Sequence, residues 1–170
     1  MSRVYVIMGV SGCGKTTVGK VLAEQLSCPF YDGDDFHPPQ NVAKMTNGIP
    51  LNDDDRFPWL ARLHEFIADH LMRGETAVLV CSALKKKYRD QLREGNGGIC
   101  IVYLEGSYDL IWARMAARPT HYMKAAMLQS QFDALEPPSP ANTLIISIQQ
   151  NISATVDDII QHTRRFGVDT

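Results

Sequence analysis

Short runs of consecutive apolar residues alternate along this chain with longer stretches in which apolar residues recur every third or fourth position. The first run, Val4-Tyr5-Val6-Ile7-Met8, is β-branched and aromatic and predicts a buried strand. After a glycine-rich loop, Val18, Val21, Leu22 and Leu26 fall on one face of a helix from about Lys15 to Leu26. Cys28-Pro29-Phe30-Tyr31 predicts a short second strand, ended by Asp32-Gly33-Asp34-Asp35, a cluster too acidic for a sheet interior. Residues 36–52 carry three prolines and a glycine and predict an irregular excursion with one short helix near Gln40 to Met45. Asp53 is the expected N-cap region of a helix whose apolar face is Trp59, Leu60, Leu63, Phe66, Ile67 and Leu71 and which ends at Gly74.

Ala77-Val78-Leu79-Val80-Cys81 is apolar without alternation, the pattern of a central parallel strand covered on both faces. A helix leaves it near Ser82–Arg89 and runs to about Glu94, before the turn Gly95-Asn96-Gly97-Gly98. Ile99 to Leu104 predicts a fourth strand, and Ser107 caps the next helix. The segment 118–140 has no sheet-like run and is bracketed by Arg118-Pro119 and Pro137-Pro138-Ser139-Pro140. With a helix at about Lys124 to Leu135, it predicts a helical flap over a site. Leu144 to Ser147 is a fifth strand, and a helix from about Ser153 to Arg165 follows. Alternating strands and helices give an α/β fold, a five-stranded parallel sheet with helices on both faces, in one domain spanning residues 1–170.

The loop after the first strand reads Gly9-Val10-Ser11-Gly12-Cys13-Gly14-Lys15-Thr16, a complete G-x-x-x-x-G-K-T with a strand before it and a helix after it. Consecutive backbone N–H groups and the helix start make an anion site for the phosphates of ATP. Lys15 reaches the β- and γ-phosphates, and the Thr16 hydroxyl ligates Mg²⁺. Thr17 joins the nucleotide-binding set, although an ordinary first-turn residue is its simpler reading. Ligands in parallel sheets bind at the carboxyl ends of strands. The P-loop, Asp32–Asp35 and Ser82–Arg89 all follow strand ends, so three polar clusters converge on one crevice. That convergence points to phosphoryl transfer and away from a nucleotide-dependent interaction module. A GTP-binding switch would need N-K-x-D, which is absent from the sequence.

Composition narrows this only at the edges. A net charge of -2 gives no reason to expect nucleic-acid binding, and no apolar run approaches a membrane span. The chain also starts without the charged-then-apolar plan of a signal peptide. Cys13, Cys28, Cys81 and Cys100 lack zinc or C-x-x-C spacing. The last three read as reduced packing residues and Cys13, among the phosphate-binding amides, as a reactive thiol or, more simply, a tolerated small residue, which places the protein in the cytoplasm.

A phosphotransferase needs a carboxylate at the accepting hydroxyl. Asp34 is the candidate, and Asp32 the water-mediated partner of Mg²⁺, against the alternative of a solvated acidic turn. Ser82, Lys85 and Arg89 are candidate acceptor ligands, although a charge run usually marks a solvated helix face; Lys87 is read as facing water. Arg56 either pairs with the aspartates before it or binds an anionic acceptor, a carboxylate suiting its fork. His37 packs the loop or touches substrate. Arg118 delivers transition-state charge on closure and Arg114 stacks on adenine, with surface ion pairs as the alternative for both. Trp59, Trp112, His64, His70 and His162 are read as packing or surface residues.

The P-loop octapeptide, Leu51-Asn52-Asp53-Asp54-Asp55-Arg56-Phe57-Pro58-Trp59-Leu60, Cys81 to Asp90, His121-Tyr122-Met123-Lys124 and Ser130-Gln131-Phe132 together resemble the small ATP-dependent gluconokinases, across nearly the whole chain. The Asp32-Gly33-Asp34 spacing is also similar to the acceptor-binding aspartates of shikimate kinases, which share the nucleoside-monophosphate-kinase-like fold. The resemblance implies sheet order 2-3-1-4-5, a mobile lid at about 118–140, frequent homodimers, and conversion of D-gluconate and ATP to 6-phospho-D-gluconate and ADP, feeding carbohydrate catabolism. Cys13 stands where serine is common in relatives, at no keyed position.

Overall fold

The computed structural model describes residues 2–117 and 125–166. The apolar runs become β1 (Val4–Met8), β2 (Phe30–Asp32), β3 (Ala77–Val80), β4 (Ile99–Glu105) and β5 (Leu144–Ser147). They form one all-parallel sheet in the order β2-β3-β1-β4-β5. Seven α-helices occur among the described residues: α1 (Lys15–Gln25), α2 (Pro39–Thr46), α3 (Asp53–Met72), α4 (Lys86–Arg93), α5 (Tyr108–Ala116), α6 (Ala125–Ala134) and α7 (Ile152–Phe166).

Strand periodicity splits the core in two. Tyr5 and Ile7 of β1 join Val78, Val80, Val102 and Leu104 under α1, α5, α6 and α7. Val4, Val6 and Met8 point the other way, with Leu79, Ile101 and Tyr103, onto Trp59, Leu60, Leu63 and Ile67 of α3 and Leu92 of α4. This is why β1 and β3 read as unbroken apolar runs, since every residue of both is buried.

Four local readings shift. β2 starts at Phe30, where pairing with Val78 begins, and runs through Asp32, which pairs with Val80; one acidic residue therefore does sit in the sheet, at its edge. The cap of α3 is Asn52, not Asp53: its side chain accepts the Asp55 N–H while Asp55 accepts the Asn52 N–H. Lys87 does not simply face water but pairs with Asp53. The expected flap is anchored where it is described, because Leu128 of α6 is fully buried and Phe132 meets the Tyr108 ring at 5.7 Å. Its earlier part, with Arg118 and His121–Lys124, lies outside the described residues.

Candidate functional site

β1 and β3 are neighbours, so the loops leaving their carboxyl ends start side by side, and Gly9 N–H donates to the Ser82 carbonyl at 3.3 Å. The P-loop is curled tightly. At Gly12, φ is +80° and a Cβ would stand 2.6 Å from Met115 Sδ; at Gly9, φ is +151° and a Cβ would stand 2.7 Å from Cys13 Sγ. At both points the backbone conformation strains any residue with a Cβ, and the neighbouring side chain would have to move to admit one. Lys15 folds over the loop and donates to the Gly9 carbonyl at 2.9 Å and the Val10 carbonyl at 3.0 Å, leaving its third N–H free to serve an anion. Gly14 caps α1, and the Thr16 and Thr17 side chains are exposed at that helix start. The first N–H groups of α1 have no partners within the helix and carry its positive dipole end. Ser11 N–H is already engaged, by Gln131 of α6 at 2.6 Å. Cys13 is buried in the loop, and burial raises its thiol pKa, so it is an inert packing residue there.

Asp32 and Asp34 follow from the end of β2. Asp32 Oδ1 accepts the Asp34 N–H at 2.9 Å and caps a single 3-10 turn over Gly33–Phe36. Asp34 is 72% exposed, with Oδ1 at 3.6 Å from His37 Nε2. His37, then the charge of Lys15, hold its carboxyl below the ordinary value of 3.8. The residues that fix this turn were not singled out as functional in the sequence. Trp59 donates its indole N–H to the Gly33 carbonyl at 2.8 Å and stacks on the His37 ring at 4.2 Å, so one side chain grips both flanks of Asp34. Asn41 Nδ2 reaches His37 Nδ1 at 3.2 Å and the Asp55 carbonyl at 2.9 Å. An amide donor at Nδ1 makes that nitrogen the acceptor, so neutral His37 carries its proton on Nε2, towards Asp34.

Beyond β3 the chain turns through Ala83, whose φ of +46° is strained for a residue with a Cβ. α4 then presents Tyr88, whose hydroxyl donates to Asp53 and accepts from Arg56 Nη1 at 3.3 Å. Lys87 pairs with Asp53, and Lys85 stands 3.8 Å from it. Arg56, Lys85 and Lys87 all lie within 6 Å of the Tyr88 ring centre. Two lysines thus share one carboxylate, whose pKa Lys87, Tyr88 and Lys85 hold at about 2, while Arg56 reaches only the Tyr88 hydroxyl. The excess positive charge suits an anionic acceptor.

Arg89 departs from the expected role. It is 2% exposed, and its guanidinium is spent on the carbonyls of Ala83 (2.8 Å), Leu84 (3.0 Å) and Glu136 (2.7 Å). It clamps the strained turn from inside and does not face the crevice. Arg114 donates to the Ile148 carbonyl just past β5. An open cleft of about 570 Å³ between β5 and α7 contains none of the motif residues.

The shikimate kinase family matches residues 11–163. The thermosensitive gluconokinase of Escherichia coli is 48% identical over 147 residues, 86% of this chain and 79% of the relative. The thermoresistant gluconokinase of the same organism is 44% identical over 161 residues, 94% of this chain and 92% of the relative. Among solved structures, a gluconokinase from Sinorhizobium meliloti superposes with a TM-score of 0.87 at 42% identity, covering 96% of this chain and 93% of that one.

Proposed function

The chain belongs to the gluconokinase family, within the wider shikimate kinase family, and we infer from this that it transfers the γ-phosphoryl group of ATP to the 6-hydroxyl of D-gluconate. The observation that carries the acceptor side is the group of Arg56, Lys85 and Lys87 around Tyr88, on the segment that begins at the Ser82 carbonyl bonded by the donor loop and on the helix start facing it. A sugar acid offers this group its carboxylate, and its hydroxyls offer partners to Ser82, His37 and Asp34. Neutral sugars lack the charge, and a site built for many hydroxyls rejects analogues without them.

In this reading the loop Gly9–Thr16 cradles the phosphates and Lys15 neutralises the β- and γ-oxygens. Asp34, ionised at neutral pH and oriented by His37, accepts the hydrogen bond of the 6-hydroxyl and takes its proton as the oxygen attacks phosphorus in line. Arg56 and Lys85 hold the carboxylate end. Arg118 adds charge to the transferring group, and Arg114 contacts the nucleotide from the β5 side. Among the described residues no group of three or more His, Cys, Asp or Glu is placed to hold a metal ion. The oxygen-only set of Thr16 and Asp32 fits Mg²⁺, which keeps most of its waters and arrives with a nucleotide. Bound there it would neutralise phosphate charge.

We further propose a cytoplasmic homodimer that passes 6-phospho-D-gluconate to carbohydrate catabolism. No helix among the described residues is long and apolar enough to cross a membrane. An ADP-release assay over gluconate, shikimate, glucose and nucleoside monophosphates tests the acceptor. Turnover with gluconate well above the others is expected. Gluconate turnover no faster than ATP hydrolysis alone overturns the reading.

A further inference from the structure

The transfer described above uses the loops after β1, β2 and β3, yet α6 grips two of them. Gln131 Oε1 accepts the Ser11 N–H at 2.6 Å, and its Nε2 donates to Ser11 Oγ at 2.8 Å. Five residues on, Glu136 N–H donates to the Leu84 carbonyl at 2.8 Å, its Oε1 accepts the Lys86 N–H at 2.7 Å, and its own carbonyl accepts Arg89 at 2.7 Å. Lys86 is the first residue of α4, and its N-cap Lys85 makes no side-chain cap bond. Glu136 thus supplies from a distance the cap that the local sequence lacks. Leu128 before the first grip, and Phe132 and Leu135 between the two, seat the segment on the core.

We propose that Gln131 is a positioning residue for phosphoryl transfer, and that α6 with Glu136 is a strap fixing the donor loop against the acceptor-side loop. In-line transfer depends on the two reacting atoms being held to within a fraction of an ångström, and a misplacement of about 1 Å can cost about a hundredfold in rate. A backbone bond, Gly9 to Ser82, joins the loops at their base; the strap joins them farther along the chain. The side chain chosen is telling. Glutamine both accepts from the Ser11 N–H and donates to its hydroxyl without bringing charge to a loop that must hold an anion. The first amides of α1 stay available to phosphate.

The proposal rests on the kinase reading, and its test separates the two. In Gln131→Ala, kcat with gluconate falls about tenfold to a hundredfold, KM for ATP moves less than about threefold, and more ADP forms per phosphogluconate made. In Gln131→Glu the carboxylate keeps the Ser11 N–H bond, and the Ser11 hydroxyl turns from acceptor to donor towards it, so Tm stays near that of the parent. The added charge on the loop weakens ATP binding by titration calorimetry about tenfold or more. Unchanged kcat and coupling in Gln131→Ala, or a faster enzyme, overturns the strap. So does parent-like ATP affinity in Gln131→Glu. If the parent protein itself makes no phosphogluconate, the kinase reading falls, and the strap is judged on the ATP-binding arm alone.

Discussion

Arg89→Met separates two roles for one residue. Methionine keeps most of the aliphatic stem and removes the guanidinium. The carbonyls of Ala83 and Glu136 lose their donor and that of Leu84 loses one of two, keeping the Glu136 N–H, around a side chain only 2% exposed. Leaving a buried acceptor unsatisfied costs about 1–3 kcal/mol each. Two of these three bonds are only part-buried, where water can replace the donor, so the sum is set at about 3–5 kcal/mol. The strained φ of +46° at Ala83 also loses its clamp. For a chain of this size about 2–4 °C of Tm accompanies each kcal/mol, giving a fall of about 6–20 °C by calorimetry. KM for gluconate, measured well below the new Tm, should change less than about threefold, because the guanidinium does not face the crevice. A Tm within about 2 °C of the parent, with a KM raised more than about tenfold, would refute this and return Arg89 to the acceptor site.

Lys15→Ala should abolish transfer with Tm nearly unchanged; near-normal turnover contradicts the donor-loop assignment. Gly12→Ala drives a Cβ to 2.6 Å from Met115 at a φ of +80°, so ATP affinity and Tm should both fall; parent-like values of both contradict the packing argument. Trp59→Phe keeps the stack on His37 but removes the donor to Gly33, so kcat should fall while KM for ATP holds, checked by steady-state kinetics. Asp53 has a folded pKa of about 2 against an ordinary 3.8, so its contribution to stability is complete above the ordinary value and lost as pH falls towards about 2. Asp53→Asn should therefore lower Tm at pH 6 and converge with the parent by about pH 2, followed by circular dichroism.

The donor loop was legible because its whole signal is local: a strand, eight residues and a helix start, all contiguous from Val4 to Gln25. Helix and strand runs were legible for the same reason, with bounds moving wherever a distant partner decides them, as Val78 does for Phe30. Arg89 was misread because Lys85 to Arg89 looks like a solvated or ligand-binding charge run. Helical geometry instead turns Tyr88, Arg89 and Leu92 inward together. Trp59 was legible as core, but its indole N–H is a polar handle whose target, Gly33, lies twenty-six residues away. Gln131 and Ser11 are separated by 120 residues, and no periodicity carries such a pairing. The signal that was available for Trp59 and Gln131 was their presence in the family blocks, which names positions without naming contacts.

The most direct test of the central claim is a product analysis: incubate the protein with ATP, Mg²⁺ and D-gluconate, and locate the phosphorus by two-dimensional ³¹P–¹H NMR. The account predicts a phosphate ester on the terminal 6-hydroxyl, formed one for one with ADP. A phosphate on another carbon, or inorganic phosphate as the only product, would contradict it.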